Sequence, residues 1–255
     1  MSSASKPGSG YIPTLDGWRA LAILAVLFAH AEGRFWTFLQ LPDGWGVVGV
    51  SLFFALSGLL ITSRLLQEER LRGSLHLKGF YVRRIFRLQP ASLLYLGVIA
   101  LLELAGVLPR HLDDLWSSIF FARNYVHLHS VEQAWYTAHF WSLAIEEHFY
   151  LFLPGFLALT KRFRAEVLLG LTLVIEVVRA LVMYRWLHNF QSDLEAGTIM
   201  LSAALAVLLT RPTFRRWAVR IVRPWIAVIL SAAIWVFVGR HPGRLNHVMM
   251  TCSYP

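Results

Sequence analysis

Residues 46–66 read GVVGVSLFFALSGLLITSRLL, an apolar run broken by a single charge, Arg64. As a helix rising 1.5 Å per residue, such a run is about 30 Å long, the thickness of a bilayer's hydrocarbon core. An open strand would leave its backbone N–H and C=O groups unpaired in lipid, so the run reads as a helix. Stretches of the same character lie at 15–32, 89–107, 141–160, 165–184, 194–210 and 222–239. The expected fold class is therefore all-α, a polytopic transmembrane helix bundle of about seven spans. Composition agrees: 56% of the 255 residues are hydrophobic and 15% charged, where a soluble domain carries about 25% charge. The lone cysteine, Cys252, excludes an internal disulfide framework and a cysteine-based zinc site.

Ahead of the spans, residues 1–10 (MSSASKPGSG) are small and polar and read as a flexible cytoplasmic tail; residues 11–255 read as one transmembrane domain. Basic residues set the orientation. Arg64, Arg70, Arg72, Lys78, Arg83, Arg84 and Arg87 fall between the second and third spans. Lys161, Arg162 and Arg164 follow the fourth span, and Arg211, Arg215, Arg216, Arg220 and Arg223 follow the sixth. The alternate connections hold only Arg34, Arg110, Arg123 and Arg185. The positive-inside rule then puts the tail and the basic loops in the cytoplasm. The net charge of +9 is thus mostly topology, with some attraction to anionic membrane lipid, and not a nucleic-acid footprint. Ala29-His30-Ala31 after an apolar run imitates a signal-peptide cleavage site, but the further spans make a cleaved leader unnecessary.

Ionisable side chains are costly in lipid, so each one in a span is a candidate for chemistry. The first span holds Asp16, Arg19 and His30. Arg19 and His30 are 11 residues apart, close to three full turns, and share one helix face about 16 Å apart. A cation near the cytoplasmic end and an imidazole near the outer end suit a long ligand with anionic phosphates and a reactive far end. A positive-inside anchor and an interfacial cap fit the same spacing equally well. The fourth span opens HFWSLAIEEHFY and brings Glu146, Glu147 and His148 within about two turns of the outer surface, roughly the depth of His30. Adjacent carboxylates point about 100° apart on a helix, which predicts different partners for the two. One of them could orient an imidazole or move a proton. In GFYVRRIFRLQP, Arg83 and Arg87 share a face, and guanidinium forks suit phosphates; an anchor for lipid headgroups is the plainer reading. Glu103 reads as structural. The sequence has no phosphate-binding glycine loop, no zinc-ligand helix pair and no G-x-S-x-G elbow.

Four blocks taken in order resemble the acyltransferase-3 family of multi-pass membrane O-acyltransferases: LDGWRALAILAVLFAH (15–30), GVVGVSLFFALSG (46–58), FYVRRIFRLQP (80–90) and HFWSLAIEEHFYLFLP (139–154). The resemblance implies that Arg19 and His30 are needed for activity, with Glu147 as the acid of the WSL block and Glu146 beside it. It implies an acyl-CoA donor, usually acetyl-CoA, that is a substrate and not a bound cofactor, with Arg83, Arg84 and Arg87 on its phosphates. The implied acceptor is a hydroxyl of an envelope glycan, and the implied location is a bacterial inner membrane with a cytoplasmic N-terminus. His30 would serve as general base or transient acyl carrier, Glu147 would orient or protonate its partner, and Arg19 would hold the donor. Asp16 and Ser51 are supporting residues; Ser51 stands where the family usually has an acid. No metal is implied. Members of the family have more membrane helices than the seven read here, which implies a domain lacking its last helices. The rival reading is an inactive truncated remnant or a transporter-like conduit for acyl groups.

Overall fold

The computed structural model describes residues 13–31, 45–125, 135–185 and 196–221, and every regular element among them is an α-helix. In chain order these are α1 (Pro13–Ala31), α2 (Trp45–Arg72), α3 (Leu77–Leu104), α4 (Leu112–Ile119), α5 (Trp135–Ala138), α6 (Phe140–Leu159), α7 (Arg164–Arg185), α8 (Ala196–Leu208) and α9 (Pro212–Ile221). Arg70 and Arg72 in the last turn of α2 complement the negative end of its dipole. The chain then reverses at Gly73, whose φ of 77° lies in the left-handed region that glycine enters without penalty, and its N–H closes on the Glu69 carbonyl at 2.8 Å.

α2 is the central helix, packed by α1 on one side and α8 on another, with α7 outside α8. Small residues permit the close approach. A side chain at Gly58 would collide with Ser202 Oγ and the Ile199 carbonyl of α8, and one at Gly49 would meet the Ala22 carbonyl of α1 at 2.8 Å. The main core gathers Phe54 and Leu65 of α2, Tyr150, Leu153 and Leu157 of α6, Leu168 of α7, and Ile199 and Ala203 of α8. A second, smaller core joins Leu96 and Ile99 of α3 to Leu115, Tyr136 and Phe140. The rest of α3 shows a long apolar flank, with Phe86, Leu94, Leu101 and Leu104 exposed. A contiguous surface of that kind suits lipid better than water.

The all-helical class agrees with the sequence expectation, and apolar helices able to span a bilayer make this a membrane protein. The span count is smaller among the described residues. Val48–Arg72 and Leu77–Leu104 are long and apolar enough to cross, and Ala196–Leu208 with Pro212–Ile221 makes a third if the pair, bent by 112°, counts as one. The tail at 1–10 and the span expected at 222–239 lie outside the described residues.

Ion pairs collect at the end of the bundle where α2 finishes. Arg164, at the start of α7, grips both oxygens of Glu69 at 2.6 and 2.8 Å and donates to the Leu157 carbonyl of α6 at 2.8 and 2.6 Å. Arg83 reaches Glu68 at 3.6 Å, and Arg211 reaches Glu166 at 2.6 Å. This basic end carries the loops that the sequence assigns to the cytoplasm.

Candidate active site

About two turns inside α6, the chain presents Glu146 and Glu147 together, and both face a single guanidinium. Arg84 of α3 donates from Nε to Glu147 Oε1 at 3.0 Å, and its Nη2 lies 3.7 Å from Glu146 Oε1. The flat face of the same guanidinium lies 3.6 Å above the ring of Tyr150, a cation–π contact. Tyr150 stands one turn beyond Glu146 and donates its hydroxyl to Glu146 Oε1. Arg84, Glu146 and Tyr150 are buried, while Glu147 keeps part of its surface open. The two carboxylates therefore share one partner, where their angular separation had predicted two. A planar fork with donors on two edges reaches both acids at once, and Tyr150 completes the second.

This arrangement has two anions and one cation in a mostly apolar interior. Such a core holds the excess charge only with a proton or one further cation. A proton shared within the cluster, on either carboxyl group, would balance it.

The three arginines of the 80–90 block divide. Arg84 points into the bundle; Arg83 and Arg87 are exposed near the basic end. A four-residue spacing puts Arg83 and Arg87 on one flank, and the intervening 100° per residue turns Arg84 away from them.

Arg19 is half-buried, with its guanidinium 5.5 Å from the centroid of Phe53. That level is about 28 Å along α2 from Arg72, which corrects the expectation that Arg19 sits near the cytoplasmic end. The offset comes from the seat at Gly49, which draws Ala22, Ala25 and Val26 onto α2 and slides α1 away from the basic end. The backbone of His30 is then about 16 Å farther on, near the start of α2, and its side chain lies outside the described residues. Trp141 packs edge-on against Phe54 at 6.4 Å, so Glu147 stands about 9 Å deeper than that contact. His30 and Glu147 are consequently about 25 Å apart along the bundle, not at one depth. Depth on separate helices depends on their mutual sliding, which a linear count of residues does not contain. Asp16 is exposed and Ser51 half-buried.

Sequence reasoning passed over Tyr150 and a second polar cluster. The Glu-x3-Tyr spacing in α6 was the available signal for the first. At the end of the bundle away from the basic loops, Arg123 is fully buried against Asp114 at 2.9 Å. Phe121, at φ 53°, turns the chain back over the end of α4 to make this pair possible. Nearby, the Tyr136 hydroxyl lies 3.1 Å from Glu103 Oε1 and 2.8 Å from the Pro109 carbonyl. Burial, Glu103 and Asp114 push the Tyr136 phenol up to about 12. Residues from distant segments meet here, so no local motif announces the cluster.

Comparison with known proteins adds the family. A family model described as an acyltransferase domain matches residues 12–254. A Staphylococcus aureus (strain COL) protein, provisionally named an O-acetyltransferase, is 33% identical over 219 residues, covering 78% of this chain and 35% of its own length. The peptidoglycan O-acetyltransferase OatA of Listeria monocytogenes is 35% identical over 173 residues, covering 62% of this chain and 26% of its own. A Bacillus subtilis protein provisionally named peptidoglycan O-acetyltransferase YrhL is 34% identical over 200 residues, covering 68% and 29%. The chain thus spans about a third of the length of these relatives. No solved structure matches it.

Proposed function

The chain belongs to the acyltransferase family matched over residues 12–254, and from that premise we propose that it moves an acyl group, acetyl in the simplest case, from acyl-CoA to a hydroxyl of a cell-envelope carbohydrate. The observation that carries this reading is the span of the match, which takes in Arg19, His30, Arg84, Glu146 and Glu147 together. The names of the relatives support acetyl as the group and oxygen as the acceptor atom.

In this proposal the protein crosses a bacterial inner membrane several times with its N-terminus in the cytoplasm. Acyl-CoA approaches the basic end, where exposed Arg83 and Arg87 offer guanidinium forks to its phosphates. Arg19, at the level of Phe53 and about 12 Å from the start of α2, holds the donor's inner part. His30 takes the proton of the acceptor hydroxyl; the oxygen attacks the thioester carbonyl, the C–S bond breaks, and the imidazolium returns its proton to the departing thiolate. As an acyl carrier, His30 would receive the group first and pass it on in a second displacement. Glu147 acts on Arg84, its partner in the core, and so positions α3 against α6; the distance to His30 keeps it from orienting that ring directly. Glu146 is fixed by Tyr150, and Asp16 and Ser51 support α1 and α2.

The test is base-labile acetate released from envelopes of cells expressing this chain, beside the His30→Ala variant. Mild alkali frees any O-acetyl ester, so the acceptor need not be known. Acetate above background with the native chain and not with the variant is the expected result. Equal release from both, at equal amounts in the membrane, would sink the assignment of His30.

A further inference from the structure

α9 carries a surface that the acyl-transfer reading does not use. Its sequence, PTFRRWAVRI, separates into two faces at 100° per residue. Phe214, Trp217, Ala218 and Ile221 fall within one 100° sector, while Arg215, Arg216 and Arg220 fall on the opposite side. The Phe214 and Trp217 rings touch at 5.6 Å, so the apolar face is one continuous patch. Nothing among the described residues covers it: Trp217 is 58% exposed, and α9 has no buried residue. No ion pair joins Arg215, Arg216 or Arg220 to another described residue.

Direction and charge identify the occupant. α8 lies in the bundle core, and α9 leaves it at 112°, which lays α9 roughly along the plane that caps the bundle. The hinge is held by Arg211, which pairs with Glu166 at the start of α7, beside the Arg164–Glu69 clamp. α9 thus departs from the basic end, next to exposed Lys161 and Arg162. Three arginines make a continued transmembrane path for α9 costly. A helix at that level, apolar on one side and cationic on the other, has the form of an interfacial helix.

We propose that α9 is a membrane-surface anchor: Phe214, Trp217 and Ile221 sink into the boundary between headgroups and acyl chains, and Arg215, Arg216 and Arg220 bind anionic lipid headgroups. The anchor fixes the basic end at the depth of the headgroups. It does not rest on the acyl-transfer proposal.

The test uses the full chain, with Cys252→Ser, reconstituted in phosphatidylglycerol or phosphatidylcholine vesicles. A nitroxide is placed at Ala218→Cys on the apolar side or at Thr213→Cys on the edge of the polar side, beside Arg220 on the helical wheel. Neither site removes an anchoring residue. The expected result in phosphatidylglycerol is that the 218 probe collides more with oxygen than with a water-soluble nickel chelate, and the 213 probe the reverse. In phosphatidylcholine, or with Arg215, Arg216 and Arg220 all changed to Gln, the bias at 218 should shrink at least twofold. A 218 probe shielded from both relaxers would mean that another segment or a second copy covers the face, and would overturn the proposal. So would equal access to the chelate at 213 and 218. An unchanged bias in phosphatidylcholine would overturn the role given to anionic headgroups.

Discussion

Arg164 and Arg84 each tie helices together through glutamate, yet their geometries differ in kind. Arg164 meets one carboxylate with two short parallel bonds and spends its remaining donors on the Leu157 carbonyl. Charge and hydrogen bonds balance, and the pair lies at the partly open basic end. Arg84 has one good bond to Glu147, a looser approach to Glu146, and an aromatic ring against its face. Two anions share it in the interior. A closed pair of the first sort stabilises and does little else; an unbalanced cluster of the second sort is poor design for stability alone, and such sites are where function is sought.

The largest expected effect follows from removing Arg84. Arg84→Ala leaves buried Glu146 and half-buried Glu147 without a cation, which costs about 3–5 kcal/mol. Little folded protein should survive extraction, as read by size-exclusion yield and thermal melting in detergent. Adding Glu147→Gln brings the excess back to the single charge of the native cluster, so folded yield should recover in part while ester formation stays at background. Ester formation at the native rate per folded molecule in that double variant would show that the cluster is only structural and erase the contrast with Arg164.

Arg164→Ala should cost less, about 2 kcal/mol, because water reaches Glu69 and replaces part of what is lost. Melting temperature should fall, but ester formation per folded molecule should not. Arg164→Lys should recover less than half of the loss, since an ammonium cannot bond both carboxylate oxygens in parallel. A selective loss of ester formation in Arg164→Ala would place this end of the bundle in the chemistry and reverse the comparison.

What was legible beforehand divides along the same line. Periodicity and charge content made the helices readable, because lipid punishes any other backbone and any stray charge. Arg84, Glu146 and Glu147 could be picked out one at a time for that reason. Their union could not be read: it depends on α3 and α6 lying side by side at one depth. The error over Arg19 has the same root, since Gly49 sets how far α1 slides along α2. Arg123 and Asp114 were invisible as a pair because a turn at Phe121, a bulky residue in a conformation usually left to glycine, brings them together.

The smallest effect tests a second tyrosine–glutamate pair against the first. Tyr136 and Glu103 resemble Tyr150 and Glu146 in chemistry, but it is the latter pair that carries the Arg84 guanidinium over its tyrosine ring. Removing the hydroxyl in Tyr136→Phe should therefore cost about 1 kcal/mol at neutral pH and leave ester formation per folded molecule intact. The phenol is raised in the folded protein to about 12 from an ordinary value of 10.0. Between those values the unfolded chain gives up the Tyr136 proton while the folded protein keeps it. The stability it contributes is complete below about pH 10 and lost as pH rises toward 12. The native chain should thus lose its advantage over Tyr136→Phe across that window, measured as paired melts in detergent. A gap that stays constant or widens would mean that Glu103 and burial do not hold the proton. The pair would then be a poor reference for what Arg84 adds to the pair in the core.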